Sequence, residues 1–141
     1  MRPTSVSYTH LDVYKRQVLY IPWRAVDKYH NFWGMRPDVR TLQVAHGFGR
    51  SLVLVRGDSH PDYASAAIYN PLDFDAAAPV YAWDRDPDVR KAVLAAFVDR
   101  PVWVVDGPTL THEGYRVVAG PLSAADILAG RASLPAAAAE P

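Results

Sequence analysis

The chain contains no cysteine. Disulfides and thiolate metal sites are therefore excluded, while the compartment stays open, because many exported proteins also lack cysteine. It has no excess charge of either sign: 15 basic residues stand against 15 acidic ones. With nothing to hold a polyanion, nucleic acid is not an expected partner, and no acidic block forms a tail. No apolar run approaches the roughly 18 residues that cross a bilayer, so no transmembrane segment is expected in this chain. The H-x-x-x-H, G-x-S-x-G, phosphate-loop and G-x-G-x-x-G patterns are missing as well, so no self-contained catalytic or dinucleotide motif is in view. What is present is a globular composition, 50% apolar and 11% aromatic. That is enough for one core and too apolar for a disordered chain.

Residues 5–17 read SVSYTHLDVYKRQ. A DNA string that encodes Val6 through His10 has a reverse complement which, shifted by one base, lies inside a string that encodes Asp12 through Gln17. A suitable Leu11 codon joins the two into one inverted repeat. The segment resembles the translation of two head-to-head transposase ends of the kind used in sequencing adaptors. This resemblance implies that residues 1–17 are an adaptor-derived artefact in a metagenomic chimera, to be set aside before the fold is read. Tyr8, His10, Tyr14 and the Lys15-Arg16 pair then carry no function, and the natural chain is expected to extend upstream of Val18. Without residues 1–17, 12 basic residues face 14 acidic ones.

The remainder reads as a single α/β domain over residues 18–132, followed by an Ala/Pro tail over 133–141 that is expected to be disordered. Val18 to Trp23 is short and apolar. Arg24 to Trp33 carries Val26, Tyr29, Phe32 and Trp33 at helical spacing. Arg36-Pro37-Asp38 opens a second helix with Val39, Leu42, Gln43 and His46 on one face, and Gly47 and Gly49 end it. SLVLVR (51–56) is a continuous apolar run between turn signals, the pattern of a strand covered on both faces. One or two helical turns come next over Pro61–Tyr69, then a loop over Asn70–Ala78 and a strand at PVYAW (79–83). Asp86 is a good N-cap and Pro87 a good first residue for a helix reaching about Val98, with Val89, Val93, Leu94 and Phe97 as its inner stripe. PVWVV (101–105) is a third buried strand. Asp106-Gly107-Pro108 reads as a turn, GYRVVA (114–119) as an edge strand, and Ser123 to Gly130 as a short capped helix. The strand–helix–strand stretch from PVYAW to PVWVV has the size of a βαβ unit. The fold class is accordingly an α/β three-layer sandwich with a small, mostly parallel sheet of three or four strands.

In such a sheet, ligands bind beyond the carboxyl ends of the strands, which selects three segments. Arg56, Asp58, His60, Asp62 and Tyr63 supply a cation, carboxylates and a group titrating near neutral pH, a set able to hold a phosphate or a sugar. A solvated loop held by turn and cap hydrogen bonds accounts for the same residues. Asp84-Arg85-Asp86 has the D-x-D form of some cation sites, but Asp86 is explained as a cap and Arg85 would pair with either acid, so no metal and no cofactor is expected. Asp106 would place a carboxylate at the rim. Trp23, Phe32, Trp33, Trp83 and Trp103 read mostly as core.

Four stretches, WRAVDKYHNFWGMRPDVR, GRSLVLVRGDSHPDYASAAIYNP, PVYAWDRDP and RPVWVVDGPT, together resemble the C-terminal soluble portion of bacterial membrane glycosyltransferases similar to the dolichyl-phosphate-mannose–protein mannosyltransferase superfamily. That resemblance spans Val18 to Pro121. It implies a non-catalytic accessory domain on the extracytoplasmic face of a bacterial membrane, partnered by a membrane domain of the same protein. The family's catalytic acids belong to that membrane part, and none is carried over to these residues. Two other functions fit the composition. One is a soluble enzyme acting on a phosphorylated or glycosidic small molecule, with Arg56, Asp58 and His60 at its site. The other is a protein-interaction module using exposed aromatics.

Overall fold

A computed structural model describes residues 36–136. The adaptor-like segment and the elements expected over Val18–Trp33 lie outside the described residues. Among the described residues, nine elements run in order: α1 (Asp38–His46), β1 (Leu52–Arg56), α2 (His60–Ala67), β2 (Val80–Trp83), α3 (Pro87–Ala96), β3 (Pro101–Asp106), α4 (Pro108–Thr111), β4 (Arg116–Ser123) and α5 (Ala124–Leu128). The strand order is β2-β1-β3-β4. β1 pairs in parallel with both β2 and β3, placing Val53 beside Tyr81 and Trp103, while β4 runs antiparallel on the outer side of β3.

The central strand explains the layering. All five residues of β1 are buried, and their side chains alternate between the two faces of the sheet. Val53 and Val55 meet Val39 of α1 and Ala66 of α2, together with Phe48, Tyr81 and Tyr115. Leu52 and Leu54 meet Leu94 of α3 and Ala124 of α5, with Val80 and Val102. Each such aliphatic side chain contributes about 1.5–3 kcal/mol when fully buried. The chain leaves β1 for β2 on one side, then returns past β1 to β3 on the other. Two crossovers of the same hand that travel in opposite directions put their helices on opposite faces, and α2 and α3 do pack on opposite faces. The result is the three-layer α/β sandwich with a small, mostly parallel sheet that the apolar runs had led us to expect.

Local chemistry fixes the element ends. The Asp86 carboxylate accepts from Asp88 N and Val89 N at 3.1 and 2.9 Å, satisfying amides that the helix leaves open. Gly47 closes α1 at φ 60°, a conformation that costs glycine nothing. Ser123 caps α5 by accepting from Asp126 N. Asn70 blunts the sheet edge at β2: its amide donates to Tyr81 O at 3.0 Å and its carbonyl accepts from Tyr81 N at 2.6 Å, so these two backbone groups are not left open to a foreign strand.

The loop between α2 and β2 is held from a distance. Arg100 is almost fully buried, and its guanidinium donates to Ala78 O at 2.8 Å, Ala76 O at 3.2 Å, Ser51 O at 3.4 Å and Phe74 O. One side chain thus gathers three carbonyls of residues 74–78 onto the start of β1.

Several expectations need correction. Val89 is 41% exposed and is not part of the inner stripe of α3, which is carried by Val93, Leu94 and Phe97. Asp106-Gly107-Pro108 is not a simple turn: Asp106 ends β3, and Gly107 precedes the short α4. The fourth strand begins and ends later than the alternation suggested, running through Gly120-Pro121 to Ser123. The tail is tied down at its described start, with Leu134 packed against the core on the α3 face and Pro135 hydrogen-bonded to Arg56. Among the described residues, no helix is long and apolar enough to cross a membrane.

Candidate functional site

β1 and β3 are neighbours whose outgoing connections leave in opposite directions, so a crevice opens between their carboxyl ends, the usual ligand position in an open α/β sheet. The two strands end alike, LVLVRG and VWVVDG. Arg56 and Asp106 are register partners, and Arg56 Nε donates to Asp106 Oδ1 at 2.6 Å with the two side chains 7% and 2% exposed. Beyond them, Gly107 N donates to Arg56 O at 2.8 Å, locking the two strand ends together.

Asp62 completes this lock. It projects from the first turn of α2, is buried, and its carboxylate accepts from Thr109 N at 3.2 Å, from Ser59 Oγ at 3.3 Å and from Thr109 Oγ1. Thr109 Oγ1 accepts in turn from Asp58 N at 2.9 Å, and the Tyr115 hydroxyl donates to Asp62 O. Gly57 and Gly107 flank Asp62 so closely that a Cβ on either would lie 2.8 Å from Asp62 Cβ. Gly57→Ala is therefore expected to destabilise by about 1–3 kcal/mol through overpacking. Asp62→Ala should rescue it only in part, because it removes Cγ and the nearer Oδ2 but leaves Cβ in place. Equilibrium urea unfolding of the single and double variants checks this, and full rescue by Asp62→Ala would count against it.

A cleft of about 360 Å³ lies beside the lock. Arg56, Gly57 and Asp58 form one wall. Asp84 and Arg85, from the end of β2, form another with Arg90 of α3. Leu110 and the tail residues Leu134, Pro135 and Ala136 close it. Arg90 Nε donates to Asp84 Oδ1 at 2.6 Å, and the Asp84 side chain is 0% exposed. Arg56 Nη1 donates to Pro135 O at 2.6 Å. Two buried polar atoms in this wall have no partner: Arg56 Nη2 and Asp84 Oδ2. Buried polar atoms are seldom left open, since each forgoes the hydrogen bonds it made to water. A second depression of similar size lies at the opposite end of β3, around Val98–Pro101 and Pro121–Ala124. No unpartnered buried polar side-chain atom lines it among the described residues.

The sequence-derived candidates thus separate. Arg56, Asp58 and Asp84 line the cleft. Asp106 stands behind Arg56 and neutralises it. Asp62 is fully engaged in holding the two loops together. His60 and Tyr63 belong to an aromatic group around Trp83: Tyr63 stacks on it at 5.8 Å and 8°, and His60 meets it edge-on at 5.8 Å. Neither lines the cleft. In the D-x-D segment, Asp84 pairs with Arg90 while Asp86 caps α3, so the two carboxylates serve different partners. Sequence reasoning did not anticipate Arg90, Leu110 or Pro135. Arg90 lies four residues after the Asp86 cap, on the turn facing the end of β2, which was a usable signal. Pro135 reaches Arg56 across 79 positions, and no local signal points to it.

Burial also marks the support of the site. The Tyr115 phenol, which holds the Asp62 backbone, is pushed up to about 12, mainly by burial and further by the Asp62 charge. Tyr81 is likewise pushed up to about 12 by burial, with Tyr69 adding to it. An unfolded phenol titrates near 10, so the folded chain keeps protons that the unfolded chain releases. This contribution is fully present below about pH 10 and is lost as the pH rises towards about 12. Denaturant midpoints measured below and above about pH 10 should fall on the alkaline side, and Tyr115→Phe should make the fall shallower. An equally steep fall in the variant would count against the assignment.

Comparison of the chain with protein-family models, with curated proteins and with solved structures gives no match.

Proposed function

We propose that this domain is a non-catalytic accessory domain that binds a small polar ligand in the cleft at the ends of β1, β2 and β3. The observation that carries this reading is the pair of buried, unpartnered polar atoms, Arg56 Nη2 and Asp84 Oδ2, within one cleft. One offers a proton and the other accepts one, and a bound molecule supplies both partners. The volume, about 360 Å³, falls at the small end of ligand pockets.

The resemblance to the soluble part of membrane glycosyltransferases gives this binding a context: the domain would hold a glycan-related ligand for a membrane domain of the same protein. The gene upstream of Val18 is then expected to encode several apolar spans of about 20 residues. The enzymatic reading is less well supported, because His60, its proton-transfer group, packs on Trp83 and is not part of the cleft wall.

Titration of the 141-residue chain with monosaccharides, sugar phosphates and uronic acids, monitored by amide chemical shifts, tests the binding. Saturable shifts confined to Gly57, Asp58, Arg85, Leu110 and their neighbours are expected, with the ligand recovered unchanged. Shifts centred elsewhere, or none, would remove the reading.

A further inference from the structure

The polar groups of the cleft wall specify a class of ligand, an inference that rests on the cleft being a binding site. Five charged side chains line it: Arg56, Arg85 and Arg90 against Asp58 and Asp84. The Arg56 charge is offset from behind by Asp106 and the Arg90 charge by Asp84, so hydrogen-bonding capacity and not net charge sets the preference. Arg56 is restricted in how it can serve a ligand. Its Nε is held by Asp106 and its Nη1 by the Pro135 carbonyl, which leaves Nη2 as the one nitrogen without a partner. Asp84 is restricted in the complementary way, with Oδ1 on Arg90 and Oδ2 open. Both side chains are more than nine-tenths buried, so neither is satisfied by bulk solvent.

We infer that the cleft takes an oxyanion, phosphate or carboxylate, carried on a hydroxylated carbon skeleton of about one sugar unit. The oxyanion accepts from Arg56 Nη2 in a charge-assisted hydrogen bond, and a hydroxyl of the skeleton donates to Asp84 Oδ2. Arg85, held over the Trp83 ring at 5.6 Å, adds positive charge at the cleft wall. A cation would meet three guanidinium groups. A neutral sugar could fill both hydrogen bonds but would hold Arg56 Nη2 more weakly than an oxyanion does. A bare oxyanion would set its charge against the carboxylate of Asp84, whereas a hydroxylated skeleton places acceptor and donor on separate atoms.

Isothermal titration of the full chain with glucose 6-phosphate, glucuronate, glucose and inorganic phosphate separates these possibilities. One or both of the anionic sugars should bind about tenfold or more tightly than glucose and than phosphate, the scale of one hydrogen bond to a charged group. Which of the two binds identifies the oxyanion as phosphate or carboxylate. Glucose binding as tightly as either anionic sugar, or phosphate alone doing so, would overturn the inference and leave the cleft reading standing. No binding by any of the four would overturn both. Asp84→Asn keeps an acceptor for Arg90 and should weaken the anionic sugar about tenfold; unchanged affinity in the folded variant would also overturn the inference. Arg85→Gln lies on an exposed side chain and should weaken the anionic sugar more than glucose, so the test stands even where Asp84→Asn does not fold. Equal weakening of both would again count against it.

Discussion

Arg56→Ala is expected to destabilise the domain by about 3–5 kcal/mol, the cost of leaving one member of a buried ion pair alone. Asp106 would stay in place with its carboxylate 2% exposed and its cation gone. The Pro135 carbonyl would lose its donor at the same time. A domain of this size has a total stability of about 5–15 kcal/mol, so the variant should sit near the edge of folding. The pair as a whole is a different matter. Two buried charges gain little over well-packed apolar groups of similar volume, because their removal from water offsets their attraction. Arg56→Met combined with Asp106→Leu should therefore recover most of the lost stability. Ligand binding should not return with it, since Arg56 Nη2 is absent from the double variant. Urea unfolding monitored by tryptophan fluorescence, beside a binding titration, reads both effects. A loss below about 1 kcal/mol in the single variant would be the value of an exposed pair and would sink the assignment. Binding that recovered together with stability would show that Arg56 acts on the cleft only through the fold.

Arg100→Ala is the second large effect. The guanidinium reaches four carbonyl oxygens, three of them in residues 74–78 and one at Ser51. Its removal leaves these acceptors around a cavity and detaches the loop that precedes β2. A destabilisation of about 3 kcal/mol is expected, from several hydrogen bonds to a charged donor lost at once. For a domain of about 100 residues this corresponds to a fall in Tm of roughly 12–24 °C. Lysine should recover only part of it: an ammonium is a compact charge with three donors and lacks the planar fork of a guanidinium. Thermal unfolding monitored by circular dichroism measures both variants. A fall of less than about 4 °C would mean that residues 70–79 hold their own conformation.

Much of the layered core was legible because its signals are local. SLVLVR is a continuous apolar run, and a strand buried on both faces requires one; β1 is that strand, and it sits inside the sheet, between β2 and β3. Asp86-Pro87-Asp88 announced the start of α3 through chemistry confined to four residues, and the carboxylate of Asp86 caps the amides it should. The end of α1 at Gly47 is another local feature. Where the pattern was ambiguous, the reading slipped. Val89 has the right spacing for the inner face of α3 yet points outward, because the helix rotates to bring Leu94 onto Leu54 and Arg90 onto Asp84. The short α4 was invisible, since four residues after a glycine carry no periodicity to read.

The carboxyl-end rule brought Arg56, Asp84 and Asp106 to one end of the sheet from strand order alone, but it said nothing about which of them would face a ligand. That division depends on partners far apart in the chain. Asp62 reads as a candidate site carboxylate until Thr109, 47 positions later, is seen to occupy it. Asp106 reads as half of a common turn pair until Arg56, 50 positions earlier, is found against it.

Taken alone, then, the amino-acid order determined the buried strands and the longer helices, that the central strand is covered on both faces, and at which end of the sheet the charged strand ends would gather. It could do so because hydrophobic periodicity and capping act over a few residues. Only the tertiary structure decided which polar atoms are consumed in holding the loops and which two of the cleft wall are left open. Every hydrogen bond to a buried group is a contest among all groups brought within reach, and reach is set by packing between β1, β2, β3 and the tail, not by neighbourhood in the chain.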